Sequence, residues 1–205
     1  MMKTPRILVT GFSPFLGEKI NPSEILLEWL KKDFAFQSKV ETLLLPVSFA
    51  AAASLLESRI AQTSYDYIFM LGQAGGRSKI NLERVALNWI ETEKPDEDGV
   101  TPLQGPIVSG KESALFSTLL VSKFKDQLQE KQLPIAVSLS AGGYVCNYVY
   151  YKTLLWLREN KRKSQACFIH VPFLPEQVLD KPDMPSMDLE TMKKVLEEIL
   201  QIALN

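Results

Sequence analysis

Short apolar runs alternate with helical patterns along the whole chain, and this alternation limits the possible folds more than any other feature. The runs predicted as strands are residues 6–10, 40–45, 67–71, 135–139 and 166–171, and residues 79–89 are also predicted to be extended. The predicted helices begin at Asn21, at Ser48 and near Leu115, and two more cover residues 147–160 and 188–204. This order predicts an α/β fold: a twisted, mostly parallel sheet flanked by helices on both faces.

The size and charge of the chain narrow the class of protein. Its 205 residues fit a single domain, which we place at 1–205. With 23 basic and 24 acidic residues the net charge is −1, so we expect no nucleic-acid or membrane partner. Two cysteines do not make a disulfide framework, and one histidine lacks the paired spacing of a zinc site. We therefore expect a cytoplasmic protein without a metal or cofactor.

Ligands of open α/β sheets bind at the carboxyl ends of the strands. The candidate site segments are therefore those that follow predicted strands, at residues 11–17, 72–77, 140–146 and 170–173. The longest irregular stretch, residues 91–110, is rich in proline, glycine and acid. Loops of this length inside a domain usually serve as lids, binding loops or interfaces.

Cys146 follows a turn of small residues and begins a predicted helix. At a helix N-terminus, and beside an imidazolium, the pKa of a thiol falls from about 8.5 to between about 3.5 and 7.5. The thiolate would be a nucleophile, and the N–H groups of the helix would receive an oxyanion. The alternative is a small buried apolar residue, which is the usual role of a free cysteine and the one that we assign to Cys167.

The only histidine, His170, ends a predicted strand that lies one strand–helix–strand unit after Cys146. Parallel neighbours joined by such a unit bring their ends together, so an imidazole at this position would take the proton of the thiol. The alternative is a hydrogen-bonded histidine of the core.

A carboxylate that orients the imidazole would complete the set, and the candidate is Glu83. Spacing alone does not separate it from Glu91 or Glu176. As a surface charge, Glu83 would instead pair with Arg77 or Arg84 and contribute about 0–1 kcal/mol.

Four blocks of sequence stand out together. They are residues 10–15 (TGFSPF) with 21–23 (NPS), residues 72–77 (GQAGGR) leading into 83–88 (ERVALN), residues 141–147 (AGGYVCN), and residues 168–177 (FIHVPFLPEQ). In this order, and over essentially the whole chain, they resemble the pyroglutamyl peptidase I family, also called pyrrolidone-carboxylate peptidase. The pieces around Cys146 and His170 are the most specific.

The resemblance implies a cytosolic cysteine peptidase that removes an N-terminal pyroglutamyl residue from small peptides and assembles as a homo-oligomer, a tetramer or a dimer. It places the nucleophile at Cys146, the general base at His170 and the orienting acid at Glu83. The implied ring pocket consists of Phe12, Phe15, Gln73, Tyr144 and Val145, and Asn21 ties the first loop in place. Aromatic walls with few polar groups suit a flat, neutral lactam.

The chain departs from the family pattern at several positions. Leu16 stands where the family usually has glycine, so this loop must shift or carry strain if the position needs a positive φ. Gly143 replaces a threonine, which is a modest change. Glu93 falls where relatives usually carry an arginine that faces the active site, and Lys94 where they carry an apolar pocket residue. A negative charge near a developing oxyanion would oppose the reaction.

Two explanations of this loop stay open: Lys94 supplies the cation after a one-residue slip, or the loop belongs to a partner interface. Two other functions are alternatives to a peptidase. One is a catalytically impaired relative that binds pyroglutamyl or other blocked N-termini. The other takes residues 72–76 as a phosphate cradle, although they match no P-loop pattern. The apolar stripe of the last helix fits an oligomer interface or a helix that covers the sheet.

Overall fold

The structure, a computed structural model, describes residues 4–205, so residues 1–3 of the predicted domain 1–205 lie outside the described residues. The strands are β1 (Ile7–Phe12), β2 (Val40–Leu45), β3 (Tyr67–Gln73), β4 (Ile80–Glu83), β5 (Val85–Leu87), β6 (Ala114–Phe116), β7 (Ile135–Ser138) and β8 (Gln165–Val171). The helices are α1 (Pro22–Lys32), α2 (Phe49–Gln62), α3 (Val121–Glu130), α4 (Val145–Glu159) and α5 (Leu189–Leu204). Within residues 4–205, no helix combines the length and apolar character needed to cross a bilayer.

The main sheet has the strand order β2-β1-β3-β8-β4-β7. The first four strands of this order run parallel to one another, whereas β4 is antiparallel to β8 and parallel to β7. β5 and β6 form a separate antiparallel pair. The central strands β1, β3 and β8 consist mainly of apolar residues and are buried on both faces, as parallel strands covered by helices require. The predicted α/β fold with a mostly parallel sheet is confirmed.

Helices cover both faces of the sheet and divide the core in two. In β3, Phe69 and Leu71 pack in a core with α1, α3 and α5, whereas Ile68 and Met70 pack in a second core with α2 and α4. The two sets alternate because successive strand residues point to opposite faces. The apolar stripe of α5 is buried in the first core. Of its two predicted roles, this helix therefore covers the sheet.

Polar side chains mark where three helices begin, as predicted. Asn21, Ser48 and Asp188 each accept a hydrogen bond from an N–H of the first turn of α1, α2 and α5, respectively. Such a cap contributes about 1 kcal/mol to helix stability. The start of α4 differs, because Tyr144 is its N-cap residue and makes no side-chain cap. Cys146 is the second residue of that first turn, whose N–H groups have no side-chain cap.

The helix predicted near Leu115 begins later than its apolar spacing indicates. Residues 114–116 form β6 and pair with β5, and α3 starts only at Val121. The N–H of Ser117 donates to the carbonyl of Arg84, and its hydroxyl donates to Ala166 in β8. These hydrogen bonds pair the polar groups of the segment while it is extended. The segment therefore forms a strand with distant partners instead of the helix that its apolar spacing predicts.

Candidate active site

β1 and β3 stop pairing before their carboxyl ends, and we call the gap between these ends the crevice. β3 pairs with β1 only as far as Met70, but with β8 as far as Gln73. β1, in turn, continues beside β2 to Phe12. The chain leaves β1 toward β2 on one side and returns to β3 on the other, so the crevice is the topological switch point at which such sheets bind ligands.

Cys146 lies at this end of the sheet, on the face covered by α2 and α4. It is the second residue of α4. A methyl group built on Gly72 of β3 would lie 3.1 Å from the Sγ of Cys146 and 2.7 Å from the ring of Phe168. Gly72 pairs with His170 across β3 and β8. Because residue 72 has no side chain, the thiol packs directly on β3 beside the strand residue His170.

His170 and Glu83 form a buried pair on the same face. The Nδ1 of His170 lies 2.8 Å from the Oε1 of Glu83, and the two residues are 4% and 0% exposed. When Nδ1 carries the hydrogen and donates it to the carboxylate, the Nε2 of a neutral ring has a free lone pair. The pair therefore presents a base whose tautomer is set by the carboxylate.

The route by which these residues meet differs from the predicted one. β7 and β8 are not parallel neighbours, because β4 lies between them and β8 runs antiparallel to it. Glu83 comes from this intervening strand, and Asn81 and Glu83 of β4 pair with His170 and Phe168 of β8. The turn after β7 then brings the start of α4 over β3. The predicted proximity of strand ends through a parallel pair is wrong, since these strands run in opposite directions.

The other acids and the second cysteine occupy different places. Glu91 and Glu176 are exposed, whereas Glu83 is fully buried. Cys167 is also fully buried and packs in the core on the opposite face, where its thiol donates to the carbonyl of Glu83 at 3.5 Å. Burial and contact thus separate Glu83 from the two acids that spacing left open, and Cys146 from Cys167.

The pKa of the Cys146 thiol is raised, whereas the sequence predicts that it is lowered. Cys146 is half-buried, and burial of its thiol raises the pKa to about 12, with a further rise from the negative charge of Glu83. Its own backbone N–H acts in the lowering direction but is the smaller effect. The predicted pKa between about 3.5 and 7.5 is therefore wrong for the free protein. A thiol with this raised pKa keeps its proton near pH 7, so it would need a base to react as a nucleophile.

We expect the raised pKa of Cys146 to appear in the pH dependence of its alkylation rate. In His170→Ala, the rate with iodoacetamide should rise about tenfold per pH unit up to at least about pH 10, because only the thiolate reacts and its fraction grows below the pKa. Mass spectrometry of the labelled peptides measures the rate, and the buried Cys167 is the internal control, which should stay unlabelled in the folded protein. A plateau below pH 9 in the variant would contradict the raised pKa.

Four of the predicted pocket residues lie on the same face of the sheet as Cys146. Phe12 and Val145 are buried in the second core, and Phe15 and Tyr144 pack against it with their rings stacked at 6.2 Å. Asn21 donates to the carbonyl of Ser13 at 3.1 Å and so ties the first loop to α1, as predicted. These predicted pocket residues therefore lie on the same face as the thiol.

The side chain of Gln73 does not join them. Gln73 alternates with Gly72 along β3, so its side chain points to the opposite face, where its Oε1 accepts from the Nε2 of Gln177 at 2.8 Å. Gln177 also donates to the carbonyl of Ile20 and accepts from the N–H of Leu174. The side chain of Gln73 is therefore directed away from the thiol.

Two supports of the site carried no predicted role. The buried amide of Asn147 exchanges two hydrogen bonds with Leu87 and donates to Trp89, which fixes the start of α4. Asp96 accepts from the N–H groups of Phe49, Asp98 and Val100, and so anchors the long loop on α2. Asn147 shares the buried helical face of Tyr150 and Tyr151, and a polar residue on an apolar face is the signal that identifies it.

The departures from the family pattern have different outcomes. Leu16 has a φ of 53°, so the loop keeps the glycine-like conformation and carries the predicted strain, which costs about 1 kcal/mol. Glu93 and Lys94 are exposed, and the acid whose charge acts on the thiol is Glu83.

The alternative reading of residues 72–76 as a phosphate cradle does not fit the fold. The loop after Gly72 leads into β4 rather than a helix, so it lacks the helix N-terminus of a phosphate cradle.

Comparison with known proteins agrees with this architecture. The family model for pyroglutamyl peptidase matches residues 5–205. A pyrrolidone-carboxylate peptidase of Thermococcus onnurineus is 42% identical, over 97% of this chain and 98% of its own. The pyrrolidone carboxyl peptidase structure from Fervidobacterium islandicum has a TM-score of 0.91 at 38% identity, over 96% and 97% of the two chains. That from Thermococcus litoralis has a TM-score of 0.90 at 34% identity, over 98% and 93%. The chain belongs to the pyroglutamyl peptidase family.

Proposed function

We propose that this protein hydrolyses the bond after an N-terminal pyroglutamyl residue, with Cys146 as nucleophile. The observation that carries the proposal is the placement of three groups at one end of the sheet. The thiol of Cys146 lies over Gly72, His170 is the strand partner of Gly72, and Glu83 holds Nδ1 of His170 at 2.8 Å. A nucleophile, a base and an orienting acid in this relation are the parts of cysteine-peptidase chemistry.

The proposed reaction uses Cys146, His170 and Glu83 in two steps, formation and hydrolysis of a thioester. As the sulfur of Cys146 attacks the carbonyl carbon, the thiol proton passes to Nε2 of His170. The tetrahedral intermediate collapses to a thioester and expels the peptide amine, which takes the proton from the imidazolium. Water then attacks the thioester, gives a proton to His170 and releases pyroglutamate, and the proton returns to the thiolate. Glu83 stabilises the imidazolium that forms in both steps.

The start of α4 would stabilise the oxyanion of the intermediate. The N–H groups of its first turn have no side-chain cap, and Cys146 lies within this turn. Free N–H groups at the positive end of the helix dipole favour a negative charge at this point. Removing one such donor typically costs on the order of 100-fold or more in kcat.

The backbone of Gln73 would recognise the lactam edge. Successive residues of a parallel strand direct their N–H and C=O groups to opposite neighbours. The N–H of Ala74, directly after β3, donates to Val171 in β8, whereas the N–H of Tyr67 in β3 donates to Arg6, directly before β1. The N–H and C=O of Gln73 therefore face the β1 side, beyond the last paired residue. A lactam carries its N–H and C=O on one edge and so complements both groups.

Comparison of two substrates tests this function. A pyroglutamyl aminocoumarin amide should be hydrolysed with a kcat/KM on the order of 10⁴-fold higher than the prolyl amide, which has the same ring without the lactam carbonyl. The loss arises because the polar backbone of Gln73 would be left unpaired in the crevice and an ammonium would face aromatic walls. Equal turnover of the two amides, or none of either by folded protein, would contradict the proposal.

The second candidate function is a catalytically impaired protein that binds pyroglutamyl or other blocked N-termini. It is favoured by the strained φ of Leu16 and by the raised pKa of Cys146. Calorimetric binding of pyroglutamyl peptide without any release of product would support this function.

We further propose that the protein acts in the cytoplasm as a homo-oligomer, a tetramer or a dimer. Light scattering of the purified protein would measure its oligomeric state.

A further inference from the structure

An arginine approaches the buried His170–Glu83 pair from the solvent side. The Nη2 of Arg77 lies 3.9 Å from the Oε1 of Glu83, the same oxygen that contacts Nδ1 of His170. The side chain of Arg77 is 36% exposed, whereas that of Glu83 is fully buried. Arg77 belongs to the loop between β3 and β4, so its charge reaches the pair from outside the sheet.

Two polar side chains hold the guanidinium in this position. Nη1 of Arg77 donates to the Oδ1 of Asn81 at 3.3 Å, and Nη2 donates to the hydroxyl of Ser138 at 3.5 Å. Asn81 is the strand partner of His170, and Ser138 is the strand partner of Glu83. Arg77 therefore lies along the row of side chains that contains the pair.

A buried carboxylate stays ionised only when another charge or hydrogen bonds compensate it. His170 compensates Glu83 with a full charge only while its imidazole is protonated. The Oε2 of Glu83 has no hydrogen-bond partner among the described residues. When the imidazole is neutral, the positive charge next to Glu83 is that of Arg77.

We propose that Arg77 is a positioning residue that keeps Glu83 ionised and His170 neutral in the resting protein. Its positive charge opposes protonation of the nearby imidazole, so Nε2 stays free to take the thiol proton. The catalytic consequence rests on the proposed function, but the effect on His170 does not.

Several titratable or charged groups lie around His170. Glu83 comes from β4 and Arg77 from the preceding loop, while Cys146 and Tyr150 come from α4, the phenol of Tyr150 donating to the carbonyl of Glu83. Cys167 of β8 contacts the same carbonyl from the opposite face. Among these groups Arg77 alone carries a permanent positive charge, so removing it should favour the imidazolium.

The single histidine makes the test direct, because its proton resonance in untagged protein needs no assignment. In Arg77→Gln, the NMR titration midpoint of His170 should rise by about 0.5 to 1 pH unit, the size expected for loss of one partly screened neighbouring charge. Arg77→Lys should return it toward the wild-type value. Arg84→Gln is the matched control, since Arg84 is the next arginine and bonds to Ser122 instead.

An unchanged midpoint in folded Arg77→Gln, or an equal rise in Arg84→Gln, would overturn the inference. Should Arg77→Gln fail to fold, Arg77→Met serves as the neutral variant, and circular dichroism checks both. In active protein, the acid limb of kcat/KM should move upward with the NMR midpoint. A shifted midpoint in a protein that never hydrolyses pyroglutamyl substrates would refute the proposed function and leave this inference intact.

Discussion

Replacement of Cys146 by serine should lower kcat/KM for a pyroglutamyl aminocoumarin amide by on the order of 10⁴-fold or more. A hydroxyl is a much weaker acid than a thiol, and this thiol already needs help from His170 because its pKa is raised to about 12. The start of α4 and the aromatic walls remain in the variant, so binding of the substrate should change little. Steady-state kinetics with both kcat and KM measured will show whether the loss lies in kcat.

Cys167→Ser is the matched control for that variant. Cys167 is the other cysteine of the chain, and its sulfur lies in the opposite core. Its replacement should cost some stability, because a hydroxyl enters a buried site, but kcat/KM per folded molecule should stay within about threefold. Activity that survives in Cys146→Ala would disprove the proposed mechanism.

Glu83→Gln should give the second large effect, a fall in kcat of about 10³- to 10⁴-fold, comparable to loss of the orienting acid in serine peptidases. A glutamine amide that turns its NH₂ to His170 would reverse the tautomer and place the hydrogen on Nε2, where it blocks the base. The same change removes a buried charge, so the unfolding midpoint should not fall in proportion to the activity.

The control for this second effect is Glu176→Gln. Glu176 is exposed and was one of the acids that spacing could not separate from Glu83. Its replacement should leave kcat within about twofold of wild type. A Glu83→Gln variant that retains more than about a tenth of wild-type kcat, with the thermal midpoint measured alongside, would show that the acid does not orient the base.

Much of the secondary structure follows from local chemistry. Asn21, Ser48 and Asp188 begin helices because their side chains bond the free N–H groups of a first turn, and this depends only on neighbours in the chain. The helix predicted near Leu115 exists as α3, but its start was placed too early because residues 114–116 pair with β5, a partner about 30 residues earlier. The spacing of apolar residues within a segment does not show that the segment pairs with a distant strand.

Some features of the site likewise follow from the sequence, and others depend on packing. The family motifs point to Cys146, His170 and Glu83, and burial now favours Glu83 over Glu91 and Glu176. The thiol pKa could not be predicted from the position of Cys146 at a helix start alone. Its rise comes from burial and from the charge of Glu83, and both depend on the packing of α4 against β3 and β4.

By itself, the sequence determined the α/β class, most helix starts and the residue types available for chemistry, because these depend on periodicity and on contacts within one turn. Only the tertiary structure decided that β4 inserts between β7 and β8, which places Glu83 behind His170 and brings Arg77 to its outer side. It also decided that the side chain of Gln73 faces away from the thiol. Strand order and the desolvation of a charge result from contacts between distant segments, so they arise only when the chain packs.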